Sequence, residues 1–119
     1  MKYLMLIKHA ESLRSATMPP EFLDKVGQFV TAGFASGALK DTAGLTPTSE
    51  GFRVRSSGGK LHVTDGPFTE AKEIIGGYAM IEAASKDEAR EFARQFMELH
   101  RVNFPDFEGE CEVRALENM

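Results

Sequence analysis

Lys2-Tyr3-Leu4-Met5-Leu6-Ile7-Lys8 opens the chain, with five successive apolar residues between two lysines. A strand with one wet face alternates apolar and polar side chains. This one does not, so both of its faces are expected to be covered. Tyr78-Ala79-Met80-Ile81, inside an extended stretch from Ile74 to Ala83, has the same character. Two strands of this kind belong in the middle of a sheet.

The segments around them supply the layers. Pro19 and Pro20 open a helix, where a proline forfeits no needed N–H. Phe22, Val26, Phe29, Val30 and Phe34 recur along one helical face, and Gly37 ends it. Ser85 and Glu88 form a capping box for a second helix, whose stripe is Ala89, Phe92, Ala93, Phe96 and Met97. Ser12 to Met18 and Asn103 to Gly109 read as loops, Ala38 to Thr46 as extended chain, and Pro47 and Gly51 bracket a turn. Phe52 to Ser57 and Lys60 to Asp65 make a hairpin. A two-residue Gly58-Gly59 turn pairs Val54 with Val63 and puts Phe52, Val54, Leu61 and Val63 on one face. Glu110 to Leu116 is a last strand, with Cys111, Val113 and Ala115 on a common face.

The order is βαβ, an inserted ββ hairpin, then βαβ. It predicts an α+β fold of ferredoxin-like type, with both helices on one face of an antiparallel sheet. The other face would be bare, yet the central strands are apolar on both sides. A second copy is the expected cover, joined sheet to sheet about a two-fold axis.

The 119 residues fit a single domain, 1–119. A net charge of −4 argues against a nucleic-acid or anionic-membrane partner. One cysteine rules out an internal disulfide and a thiolate zinc cage. No apolar run is long enough to span a bilayer, and no signal-peptide pattern opens the chain, so a cytoplasmic protein is expected. No phosphate loop, dinucleotide fingerprint or triad motif occurs, and no cofactor or metal is expected.

Val63-Thr64-Asp65-Gly66-Pro67-Phe68-Thr69-Glu70-Ala71-Lys72-Glu73-Ile74-Ile75-Gly76-Gly77-Tyr78 resembles the DGPF signature of YCII-related proteins. The opening strand, Ser57-Gly58-Gly59-Lys60 and Glu110-Cys111-Glu112-Val113-Arg114 are similar to that family as well. The resemblance implies a ferredoxin-like chain that dimerises into an α-β barrel. Some members carry a His and an Asp close together in a pocket, the His near the first helix. Pro19 to Gly37 contains no His, so that dyad is not carried over. Members are often encoded near alternative sigma factors, which implies a regulatory setting as the alternative to catalysis.

Asp65 is the first candidate for chemistry. It shares parity with Leu61 and Val63, so it starts on the apolar face of the hairpin, where desolvation would favour an acid or base role. The plainer reading is an Asp that fixes the Gly66-Pro67 turn. His9, at the end of the first strand, is its candidate partner. Gly66, Pro67 and Phe68 would wall a small-molecule pocket, and Glu70, Lys72 and Glu73 would bind polar parts of a substrate. As plain surface, those three are solvated ions. Arg53, Arg55 and His62 share the polar face of the hairpin and read as a solvated ribbon. His100 reads as packed or capping, and Cys111 as an inert buried thiol. The reading is a homodimeric, cofactor-independent enzyme that moves protons on a small organic molecule, by elimination or isomerisation. Its alternative is a non-catalytic ligand-binding or regulatory module.

Overall fold

In a computed structural model, residues 1–15 and 17–117 are described. Ala16, in the stretch expected as loop, lies outside the described residues. The elements are β1 (Lys2–His9), α1 (Pro20–Ser36), β2 (Leu39–Gly44), β3 (Phe52–Ser57), β4 (Lys60–Asp65), β5 (Ile74–Glu82), α2 (Lys86–Asn103) and β6 (Gly109–Ala115). Short 3-10 turns occupy Glu11–Ser15, within the expected loop, and Thr48–Glu50 between Pro47 and Gly51.

Four strands form one antiparallel sheet in the order β2-β5-β1-β6, so the two strands without alternation are the central pair. This is the α+β, ferredoxin-like arrangement expected from the element order. Residues opposite one another share a face. Tyr3, Met5 and Ile7 therefore stand with Ile81, Ala79 and Gly77 on β5 and with Ala115, Val113 and Cys111 on β6. That face carries the helices. Tyr3, Met5, Leu39 and Ile81 pack there with Ala89 and Ala93 of α2, and Met5 and Ile81 are each 1% exposed.

The helix ends follow their sequence signals. Ser85 Oγ accepts the Glu88 N–H at 3.1 Å, and Gly37 closes α1 with φ 82°. Along α1 the buried stripe differs at its end. Phe34 is 47% exposed, and Gly33 is buried in its place. A Cβ on Gly33 would lie 3.0 Å from Leu39 Cβ, so the helix can approach β2 only where it has no side chain.

The opposite face of the sheet holds Leu4, Leu6, Tyr78 and Met80, all half-buried. Lys8 Nζ lies 2.9 Å from Glu112 and 3.1 Å from Glu110 beside them, and its pKa is pushed up to about 12, first by Glu112 and then by Glu110. Tyr78 Oη donates to Asp41 Oδ2 at 2.9 Å. Among the described residues no element covers this face.

The hairpin stands apart as a two-stranded sheet. Its register pairs Val54 with Val63, and Gly58 and Gly59 both have positive φ (61° and 76°), as a two-residue I′ turn requires. All its strand residues are exposed.

Two substitutions check where stability resides. Met5→Ala should lower the unfolding free energy by roughly 2–5 kcal/mol in a denaturant titration. Ser85→Ala should cost about 1 kcal/mol through the lost cap. A Met5→Ala loss smaller than that of Ser85→Ala would mean the core is not seated under β1.

Candidate functional site

The site begins at an irregularity between the central strands. Ile7 pairs with Gly77 but Lys8 pairs with Ile75, so Gly76 is an extra residue bulged out of β5. The bulge lies beside His9, which ends β1 on the helix-bearing face and is 8% exposed. His9 Nδ1 lies 2.8 Å from the Ala10 carbonyl oxygen. A carbonyl can only accept, so Nδ1 carries a proton, and in the neutral ring Nε2 is then the acceptor. Nε2 rests against Gly76, and a Cβ there would overlap it. Only glycine leaves room for the ring in this pose.

His9 and Gly76 both border a cavity of about 360 Å³ between α1, α2 and the sheet. That volume suits a small molecule. Phe22, Val26, Phe29 and Val30 of α1 form one wall, with Phe92 and Phe96 of α2 and Phe107 beyond them. Among the described residues, no Lys, Arg, Asp or Glu lines the cavity. Among the described lining residues the polar side chains are those of His9, His100, Thr42 and Tyr78, the last with its hydroxyl turned to Asp41. His100 is 5% exposed and its Nδ1 lies 2.9 Å from the Phe96 carbonyl oxygen, so it too has Nδ1 as donor and Nε2 as acceptor. Phe22, Phe96 and Phe107 ring it at centroid distances of 4.8, 4.8 and 4.5 Å. Burial pushes its pKa below the ordinary histidine value, against a smaller opposing effect of the Phe96 carbonyl. Thr42 Oγ1 donates to the Tyr78 carbonyl at 2.9 Å and has lone pairs to spare. The lining therefore offers acceptors more readily than donors.

The Asp65 turn lies elsewhere. Asp65 is exposed at the end of β4, opposite Phe52, and none of Asp65, Gly66, Pro67, Phe68, Glu70, Lys72 or Glu73 lines the cavity. Among the described residues no hydrogen bond joins His9 to Asp65. The turn is instead fastened to the chain before it. Gly66 N–H donates to the Gly51 carbonyl at 2.9 Å, and a Cβ on Gly66 would overlap the Thr48 carbonyl. Phe68 N–H donates to Thr48 Oγ1 at 3.2 Å, and Thr48 Oγ1 donates to Glu11 Oε1. Glu11 thereby links the motif to the loop after His9. Arg53 stacks over the Phe68 ring at 3.7 Å and pairs with Glu70 at 2.5 Å. The Glu70 carboxyl is held below the usual range, first by its own backbone N–H and then by Arg53. Lys72 and Glu73 are exposed.

Of the residues put forward for catalysis or substrate binding in the sequence, His9 alone is among those that border the cavity. Gly76 and His100 complete the surroundings that sequence reasoning did not assemble. The signal in the sequence is the Gly76-Gly77 pair, since glycine inside a strand marks a bulge or a close approach. Burial pushes the Cys111 thiol up to about 11, as an inert thiol requires.

A family profile for the YCII-related domain matches residues 1–98, from β1 through most of α2. The chain belongs to the YCII-related family. An uncharacterised protein of Rhizobium meliloti (strain 1021) is 41% identical over 81 residues, which cover 68% of this chain and 61% of the relative. The chain thus spans about three-fifths of that relative's length. The YCII-related match includes His9, Gly76 and the Asp65 turn, and stops short of His100 and Phe107. No helix among the described residues is long and apolar enough to cross a membrane.

Two predictions follow from this geometry. Gly76→Ala should force the His9 ring out of its place and cost about 1–3 kcal/mol by overpacking. His9 imidazole resonances should shift with it, while a wild-type spectrum and stability would refute the close approach. For His100 the folded pKa lies below the unfolded one, so the unfolded chain binds the proton more readily. The stability tied to neutral His100 is present above pH about 6.5 and is lost as pH falls through that value toward the depressed one. His100→Phe should therefore flatten the melting temperature against pH on the acid side of 6.5, and an unchanged slope would exclude His100 as its source.

Proposed function

We propose that this chain is a homodimeric, cofactor-independent enzyme that moves a proton on a small uncharged molecule held in the cavity under α1. The observation that supports the reading is His9, a buried ring with its Nδ1 against the Ala10 carbonyl, bordering a cavity that no charged side chain among the described residues lines. An apolar surround disfavours a charged ligand and favours a neutral one. Acceptor nitrogens on two sides favour a ligand that carries an O–H or an acidic C–H.

His9 Nε2 takes a proton from the bound molecule and becomes an imidazolium. The Ala10 carbonyl, already accepting from Nδ1–H, stabilises that charge. In an isomerisation the imidazolium returns the proton at another atom of the same molecule. In an elimination the electron pair of the broken C–H bond expels a leaving group, and the imidazolium passes its proton to water. Among the described residues no hydrogen bond joins Asp65 to His9, and in this reading the base acts without it. The second copy belongs to this reading because the sheet face of Leu4, Leu6, Tyr78 and Met80 is otherwise left wet.

The test uses neutral cyclic ketones and phenols in D₂O, with deuterium incorporation followed by proton NMR. Protein-dependent exchange is expected with the wild type, and a drop of about 100-fold with His9→Gln at unchanged binding. Binding that moves the His9 imidazole resonances without exchange would favour the ligand-binding module and overturn the enzyme. No binding to the cavity would overturn both.

A further inference from the structure

His100 leaves half of its hydrogen-bonding capacity unused inside the protein. Its Nδ1–H goes to the Phe96 carbonyl, within its own helix. Nε2, on the distal edge of the ring, has no hydrogen-bond partner among the described residues. It is not walled off either. Among the described residues, Glu11 Oε2 is the one side-chain N or O that is both sealed from water and unpaired. Nε2 therefore opens onto free space, in a ring that is 5% exposed and borders the cavity under α1. A buried acceptor without a partner costs stability, and a phenylalanine at this place in an aromatic cluster would not incur that cost.

Water is a poor occupant of that space. A buried water takes roughly two to four polar partners. Beside Nε2 it meets the rings of Phe22, Phe96 and Phe107, all three of which also line the cavity. The other polar side chains have already placed their hydrogens. Thr42 Oγ1 donates to the Tyr78 carbonyl, and the Tyr78 hydroxyl donates to Asp41.

A molecule with one donor hydrogen on a flat apolar body suits the place better. One acceptor satisfies its donor. The phenylalanine rings accept the body, since aromatic rings pair edge to face or offset, with centroids about 4.5–7 Å apart. A volume of about 360 Å³ is at the lower end of small-molecule sites, which run from about 300 to 1,000 Å³, and fits a compact aromatic body.

We infer that the ligand of this cavity is an uncharged arene bearing one hydroxyl, and that His100 selects it by accepting the O–H at Nε2. The inference rests on the preceding reading and names its substrate class. His9 remains the base, and His100 fixes which molecule reaches it. The YCII-related match ends at residue 98 and so does not include this residue.

The experiment compares β-naphthol with its methyl ether by isothermal titration calorimetry at neutral pH. The two share a ring system, and only the naphthol has a donor. A merely greasy cavity prefers the ether, which is the more hydrophobic of the pair. The wild type should instead bind the naphthol about 10-fold tighter or more. His100→Phe should abolish that preference, and His100→Gln, which keeps an acceptor, should restore part of it. The wild type alone supplies a second readout. The His100 Nε2 nitrogen resonance should move far more on adding the naphthol than on adding the ether. A wild type that prefers the ether, a naphthol preference that survives His100→Phe, or an Nε2 resonance indifferent to the naphthol overturns the role of His100. Deuterium exchange on a cyclic ketone that depends on His9, with neither naphthalene bound, overturns the arene and leaves the proton-transfer reading standing.

Discussion

The pairing of β1 with β5 organises everything else in this chain. Both strands are apolar along both faces, so each excludes water from the other only if they lie side by side in the middle of the sheet. Met5 and Ile81 are nearly inaccessible as a result. The two helices then have one hydrophobic floor to occupy, and β2 and β6 fall to the edges. The same pairing leaves Leu4, Leu6, Tyr78 and Met80 facing away from the helices. A single sheet with a single helical layer, in a body 19 Å thick, has nothing of its own to put over them.

The ladder also creates the site through its one defect. Gly76 is expelled from register after Ile7 pairs with Gly77, and the vacated space admits the His9 ring. The Ala10 carbonyl then engages Nδ1, so backbone geometry selects the tautomer of the neutral ring. The rest of the cavity is a packing consequence. The aromatic stripes of α1 and α2 meet each other at Phe29, Phe92 and Phe96, with centroids 5.0 and 5.5 Å apart, and hold the helices up from the sheet behind them. Fold and site thus share residues. Phe22 and His100 belong to the buried helix faces and to the cavity wall at once.

Much of this was legible in the sequence where a local rule operates. Parity and the Gly58-Gly59 pair fixed the hairpin register to the residue, because slipping one place would exchange its two faces. Ser85, Glu88 and Gly37 marked helix ends through hydrogen bonds that involve only neighbours, and Pro20 marked one by its missing N–H. Phe34 was misread as part of the buried stripe, because helical spacing admits both positions 33 and 34. The choice between them rests on how closely α1 approaches Leu39. The cavity was invisible for a related reason. Phe22, Phe29, Phe92 and Phe96 look the same in sequence whether they fill a core or border a void. The Asp65 turn drew notice by its motif and its parity, but parity cannot tell that the apolar face of the hairpin stands away from the body of its own chain.

The central claim is that the neutral His9 ring holds its proton on Nδ1, against the Ala10 carbonyl, and leaves the lone pair on Nε2. Long-range proton–nitrogen NMR of histidine side chains at pH about 8, where imidazoles are ordinarily neutral, measures this directly. The account predicts that His9 carries its proton on Nδ1 with Nε2 unprotonated, as a single static tautomer. A proton on Nε2, or rapid averaging between the two nitrogens, would contradict it.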